Sequence, residues 1–216
     1  MKIQKIQKMI EANSEIKIIL LGESGVGKTN LIYAFLNYGF QENPGCTLAS
    51  FSFEAEYNYK NKSYTYTIWD TAGQEQYRSI NKIFIRDSKI ILIVYSIDNR
   101  KSFNEVDFWI KYVKENLKDD KYIIALVANK NDLYEDDQMV MDEEGKDFAK
   151  KYNVDFLITS AKINGKSFQN FVYKLITIYI EKFIEIGNNL ENNKAIKIKN
   201  NKYKNGKNKN PKKKFC

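Results

Sequence analysis

"GESGVGKT" (Gly22–Thr29) follows directly on the apolar run "IKIILL" (16–21) and opens a stretch of helical character over residues 28–37. Glycines at 22, 25 and 27 let the backbone curl so that its N–H groups converge on phosphate oxygens, with Ser24 and Val26 filling the loop between them. Lys28 brings a positive charge to the β- and γ-phosphates, and Thr29 offers a hydroxyl to Mg²⁺. Asn30 completes this nucleotide-binding set where the helix begins, and the N-terminal dipole of that helix favours an anion. A simple glycine-rich turn would not need the Lys-Thr pair at its end.

Working outward, further apolar and β-branched runs alternate with helix-length segments. "YTIW" (66–69), "KIILIVY" (89–95), "YIIALVA" (122–128) and "VDFLIT" (154–159) read as strands, most of them too continuously apolar for a half-exposed sheet. "SFSFEAEYNY" (50–59) alternates instead, and "KNKS" (60–63) makes a turn before the next strand, which predicts a hairpin at the sheet edge. Helices fit 28–37, a short piece after Gly73, 102–117, 142–152 and 166–186. The last of these has a core-facing stripe through Phe168, Phe171, Val172, Leu175, Ile176, Tyr179, Phe183 and Ile186. Strands alternating with helices predict an α/β fold, a P-loop doubly wound sheet, mostly parallel with one antiparallel edge hairpin.

The chain has 216 residues and a net charge of +8. Ten lysines and no acid follow Lys194 inclusive, and removing those ten charges from the +8 leaves −2 on residues 1–193. The basicity therefore belongs to the tail, whereas a nucleic-acid-binding fold would carry it on the body, so no nucleic-acid partner is expected. No stretch reaches the roughly 20 apolar residues of a membrane span. The opening "MKIQKIQKMIEANSE" is too broken by Lys and Gln for a secretory leader, and Lys2 excludes N-myristoylation. Two cysteines, Cys46 and Cys216, make no disulfide framework and point to a reducing, cytoplasmic setting. The expected organisation is an N-terminal extension (1–15), a nucleotide-binding domain (16–186) and a disordered Lys/Asn-rich tail (187–216).

A phosphate loop alone fits many nucleotide enzymes, so the base has to be read elsewhere. "ANKND" (128–132) and "TSAK" (159–162) close two successive strands. Asp132 can accept from the N1–H and exocyclic amine of guanine, whereas adenine lacks that amine and its N1 is itself an acceptor. A site built on such bonds discriminates by ~10⁴ or more. The Lys130 stem would lie along the base, the Ala161 N–H would meet the guanine oxygen, and Asn129, Ser160 and Lys162 complete the set. A third motif, "WDTAGQE" (69–75), places Asp70 to hold Mg²⁺ through a water, Gly73 to meet the γ-phosphate, and Gln74 to orient an attacking water. Lys28 and Gln74 are thus the expected catalytic pair.

With these motifs in this order, residues 16–186 resemble a Ras-superfamily small GTPase, and "IWDTAGQEQYRSI" with "LIVYSIDNRKSFNEVDFW" resembles the Rab branch. The resemblance implies a six-stranded sheet with five helices, GTP/GDP and Mg²⁺ as ligands, and slow hydrolysis accelerated by partner proteins. It also implies a monomer that meets exchange factors, activating proteins and effectors through residues 38–53 and 71–86. Thr47, eighteen residues after Thr29, falls where the family keeps a threonine that closes over Mg²⁺ and the γ-phosphate, and Phe40 where an aromatic packs edgewise on guanine.

Departures fall on the partner-reading stretch. "TLASFSF" (47–53) has Ala49 for the usual glycine, and at the family's spacing Ser52 stands where an aromatic belongs. A one-residue slip taken up in the 60–63 turn would bring Phe51 there instead. The tail ends in a single Cys216, which is neither a terminal cysteine pair nor a CaaX box. On such a body it reads as a prenyl site backed by a polybasic spacer, on a protein cycling between the cytoplasm and the cytosolic face of an endomembrane. A solvating tail with an incidental cysteine, and a nuclear or RNA-binding "PKKK", are the alternatives. For the whole chain the expected role is a GTP-hydrolysing switch in vesicle traffic. A non-cycling scaffold and a soluble Ran-like transport GTPase are its rivals.

Overall fold

The computed structural model describes residues 15–42, 51–70, 84–133 and 139–186. Six strands are present: β1 (Ile16–Leu21), β2 (Phe51–Tyr59), β3 (Lys62–Asp70), β4 (Ile90–Ser96), β5 (Ile123–Asn129) and β6 (Asp155–Ile158). They form one sheet in the order β2-β3-β1-β4-β5-β6. β2 and β3 pair antiparallel, and every other neighbouring pair is parallel. Among the described residues the α-helices are α1 (Lys28–Phe35), α2 (Arg100–Asn104), α3 (Val106–Asn116), α4 (Asp142–Tyr152) and α5 (Gly165–Tyr179). The chain divides into two compact units, 1–179 and 180–216; in the second, π-helical winding covers Ile180–Glu185.

The apolar runs end up with both faces covered, as a parallel sheet requires. All seven residues of β4 are buried. Ile19, Leu21, Ile91, Ile93 and Tyr95 join one core cluster with Val106, Ile110 and Val113 of α3. The intervening residues Ile18, Leu20, Ile90, Leu92 and Val94 are also buried, and alternation turns them to the opposite face. There α1 meets β3 and α5 through Phe35, whose ring makes edge contacts with Tyr66 (6.1 Å) and Phe168 (6.5 Å).

The expected edge hairpin is present, with a turn tighter than "KNKS". Lys60 (φ 48°) and Asn61 (φ 60°) alone form it, a two-residue turn whose left-handed pair matches strand twist. Lys62 and Ser63 already belong to β3. The ladder runs unbroken from Phe51 opposite Asp70 to Tyr59 opposite Lys62, so no residue is slipped. Ser52 therefore sits opposite Trp69, while Phe51 and Phe53 share the other face, 5.5 Å apart.

The helix expected at 102–117 begins two residues earlier and is broken at Glu105. The Asn99 side chain accepts the Ser102 N–H at 3.1 Å and starts α2, so Ser102 lies inside the first turn. The short helix expected after Gly73 lies outside the described residues, as do 1–14 and 187–216. No described helix is long and apolar enough to cross a membrane.

At the end of β1 the chain passes very close to β4. Gly22 has φ +144°, and a Cβ there would stand 2.1 Å from the Val94 carbonyl oxygen. Backbone cannot give way as a flexible side chain does. Gly22→Ala should therefore cost about 2 kcal/mol or more, lowering the melting temperature by roughly 4–8 °C. Thermal melts followed by circular dichroism check this, and an unchanged midpoint would contradict the close approach.

Candidate functional site

The three motifs sit at the carboxyl ends of neighbouring strands. The loop 22–27 leaves β1, Asp70 ends β3, Asn129 ends β5, and Thr159 follows β6. Strand order reverses around β1, with β3 on one side and β4 on the other. In open α/β sheets that switch point makes a crevice for ligands.

Ser24 and Gly25 are exposed at the loop's tip, while Val26 is fully buried beneath it. Gly27, at φ +92°, is the N-cap of α1, and no side chain caps the helix, an arrangement that suits an anion at its N-terminus. The buried Lys28 ammonium donates to the carbonyls of Gly22 and Glu23, both at 2.8 Å, which holds the charge within the loop.

Thr29 Oγ1 donates to Asp70 Oδ2 at 2.7 Å, and Asp70 is completely buried. A hydroxyl and one carboxylate brought together are hard oxygen donors. Mg²⁺ commonly takes such a pair together with substrate phosphates and water, so the residues present fit that ion.

The other half of the site is built around Asn129. Its Nδ2 donates to the Val26 carbonyl at 2.8 Å, and its Oδ1 accepts the Ala161 N–H at 3.1 Å. Ser160 is equally central: its hydroxyl donates to Asp132 and accepts the N–H groups of Lys162 (3.1 Å) and Ile163 (3.2 Å). The Asn131 N–H reaches the Thr159 carbonyl at 3.1 Å, so the loops after β5 and β6 are joined by backbone as well. Lys130 adopts a left-handed φ of 66°, and its ammonium lies 3.0 Å from Asp98.

Phe40 is partly exposed, with the Lys162 ammonium 5.8 Å from its ring centre. Asn30 is buried, and its carboxamide is bonded to the backbone of Gln41. The expected residues Gly22, Ser24, Gly25, Val26, Gly27, Lys28, Thr29, Asn30, Phe40, Asp70, Asn129, Lys130, Asp132, Ser160, Ala161 and Lys162 thus all lie on loops at one end of the sheet or at strand and helix ends beside them. Thr47, Gly73, Gln74 and Cys216 lie outside the described residues.

Two supporting elements escaped the sequence reading. Asp98 pairs with Lys130, though "SIDNR" (96–100) carries no spacing that announces it. Beside it, Arg100 grips Glu144 with two bonds (2.6 and 2.8 Å) and also donates to the Met139 carbonyl. The Ile97 carbonyl accepts from Met139 (2.7 Å) and Val140 (3.0 Å), so the segment entering α4 is tied to the turn that holds Asp98. A bidentate guanidinium–carboxylate fork is the strong form of such a pair.

Bonding from Arg100, and then from the Met141 N–H, holds the Glu144 carboxyl down to about 2. A depressed folded-state value contributes stability that is full above the ordinary carboxylate value and is lost as pH falls through the folded one. Both side chains are about two-fifths exposed (41% and 39%), so solvent screening keeps the gain below about 1 kcal/mol. Glu144→Gln should lower the urea midpoint slightly at neutral pH, and the gap to wild type should close between about pH 4.5 and about pH 2. A gap that persists unchanged into acid would exclude the charge as its source.

Residues 17–180 match the family model described as Ras family. The Ras-related protein Rab-11B of Dictyostelium discoideum is 35% identical over 199 residues, covering 89% of this chain and 90% of that protein. Human Ras-related protein Rab-22A is 33% identical over 148 residues, covering 68% of this chain and 75% of that protein.

Proposed function

The chain belongs to the Ras family and is a Rab-like small GTPase, a guanine-nucleotide-binding and GTP-hydrolysing protein, and on that footing we propose how its residues divide the work. The loop 22–27, Lys28 and the start of α1 through Asn30 hold the phosphates. Asp132 accepts from the guanine edge, and Lys130 and Phe40 pack along the base. Asn129, Ser160, Ala161 and Lys162 shape the pocket around it. The observation that carries this reading is the Asn129 carboxamide, which bonds the phosphate loop and the Ala161 N–H at once and so brings three distant motifs to one place.

Thr29 and Thr47, with Asp70 through a water, would hold Mg²⁺, which when bound neutralises charge on the β- and γ-phosphate oxygens. Gln74 orients the attacking water, the Gly73 N–H meets the γ-phosphate, and Lys28 stabilises the charge that builds up on the phosphates. Little covalent chemistry remains for the protein, so intrinsic turnover is slow, ~10⁻⁴ s⁻¹ in order of magnitude, and a partner's arginine raises it by up to ~10⁵. GTP and GDP then favour different arrangements of 38–48 and 71–80, which exchange factors, activating proteins and effectors read through 38–53 and 71–86. The position of Ser52 opposite Trp69 supports an effector different from one that reads an aromatic there.

Single-turnover hydrolysis in Mg²⁺ buffer tests the assignment. GTP should turn over and ATP should neither bind nor compete, while Gln74→Leu should stay loaded with GTP even with an activating partner. Hydrolysis by that variant at the wild-type rate would remove Gln74 from the mechanism.

The protein acts in vesicle traffic as a monomer cycling between cytoplasm and an endomembrane. Its anchor is a prenyl group on Cys216 assisted by the ten lysines from Lys194 onward, each contributing up to ~1 kcal/mol at an anionic surface. Membrane flotation of the protein from its native cells should lose the Cys216→Ser variant from the membrane fraction; equal flotation of both would eliminate the anchor.

A further inference from the structure

Asn30, third residue of α1, is only 7% exposed. Its carboxamide makes two bonds to one residue of a segment without regular structure: Nδ2 donates to the Gln41 carbonyl (3.0 Å), and Oδ1 accepts the Gln41 N–H (3.1 Å). The side chain thereby stands in for one rung of a β ladder. Among the described residues, the backbone of 39–42 has no backbone partner of its own.

The other end of this segment is held as well. The Tyr38 N–H donates to the Tyr33 carbonyl at 2.9 Å, and its ring lies 6.3 Å from Tyr33 and 6.1 Å from Phe53. Gly39 turns the chain with a φ of +79°. Phe40 thus sits between two fixed points, Tyr38 on one side and Gln41 on the other, and faces Lys162 of the base loop.

We propose that Asn30 is a positioning residue: its side chain holds the 40–41 backbone so that Phe40 stays against the base, and it thereby slows nucleotide release without its carboxamide touching the nucleotide. This rests on the reading above that Phe40 packs on guanine. The chemistry is specific to a carboxamide, because both a donor and an acceptor are required. A carboxylate keeps the acceptor for the Gln41 N–H but sets a negative charge against the Gln41 carbonyl, and alanine loses both bonds.

The test is the release rate of a fluorescent guanosine diphosphate from the full chain in Mg²⁺ buffer, chased with excess unlabelled GDP. Asn30→Ala should release about tenfold faster, the size expected for losing a buried two-bond contact. Asn30→Asp should also release faster, and it preserves the shape of the side chain should the alanine variant fail to fold. Phe40→Ala should accelerate release by itself, and adding Asn30→Ala to it should change nothing further, since both act through one contact. Effects that multiply in the double variant would overturn the proposal while leaving Phe40 at the base. Wild-type release from Asn30→Ala and Asn30→Asp would overturn it too. Unchanged release from Phe40→Ala would instead overturn the placement of Phe40, and the proposal with it.

Discussion

The Asn129 carboxamide reaches the Val26 carbonyl with its N–H and the Ala161 N–H with its oxygen, and the remainder of the site depends on that double contact. It is almost fully buried, so both bonds form where water does not compete and losing either partner would strand a polar group. The same contact dictates its neighbours. A Cβ at position 27 would lie 2.4 Å from Asn129 Nδ2, so the loop can pass this close only as glycine. Asn129 is in turn fixed by register, opposite Ser96 at the end of β4. A core built from apolar strands thus positions a single amide, and that amide joins the loop after β1 to the loop after β6.

Charge is handled by a comparable economy of contacts. A buried ammonium is tolerable when carbonyl oxygens surround it, and Lys28 has two of them in its own loop. Asp70 is buried where β3 ends, with Thr29 donating to it from the first turn of α1. Because Asp70 also faces Phe51 across the hairpin ladder, the carboxylate sits at the end of the β2–β3 strand pair. The start of α1 and the hairpin are therefore tied through one residue.

What the sequence made legible were features with a local signature. A glycine-rich loop after an apolar run, alternation in 50–59, and two short motifs at strand ends all announce themselves through spacing, and the strands followed within a residue or two, except β3, which begins four residues before "YTIW" because the tight turn at 60–61 lets Lys62 join the ladder. The misses were contacts between residues far apart in the chain. Asp98 with Lys130 and Arg100 with Glu144 span 32 and 44 residues and leave no periodic trace. The helix expected from 102 starts at Arg100 for a related reason: the Asn99 side chain accepts the Ser102 N–H at 3.1 Å while the Ser102 hydroxyl turns inward to accept the Ser96 N–H at 3.1 Å, contacts that only the fold shows. Asn30 was legible as part of the site, but not what its side chain does, because Gln41 lies on a segment with no pattern to read.

The hairpin register carries the last consequence. Period-two alternation permits only two assignments of 51–53, and the unbroken ladder selects the one that turns Phe51 and Phe53 toward Tyr33 and Tyr38. Those rings fasten β2 to the end of α1, the same end that leads into Phe40. The aromatic residues of "TLASFSF" are thereby committed to holding the nucleotide domain together, and the outer face of β2 shows Ser52, Glu54 and Glu56 instead. Trp69, opposite Ser52, shares that face but packs partly buried against the core cluster, with the Lys17 ammonium 4.9 Å from its ring and Phe84 beside it at 6.1 Å. The register therefore sets the Trp69 and Phe84 rings beside a hydroxyl and two carboxylates, and gives β2 a polar outer row where an aromatic at position 52 would have extended the ring pair.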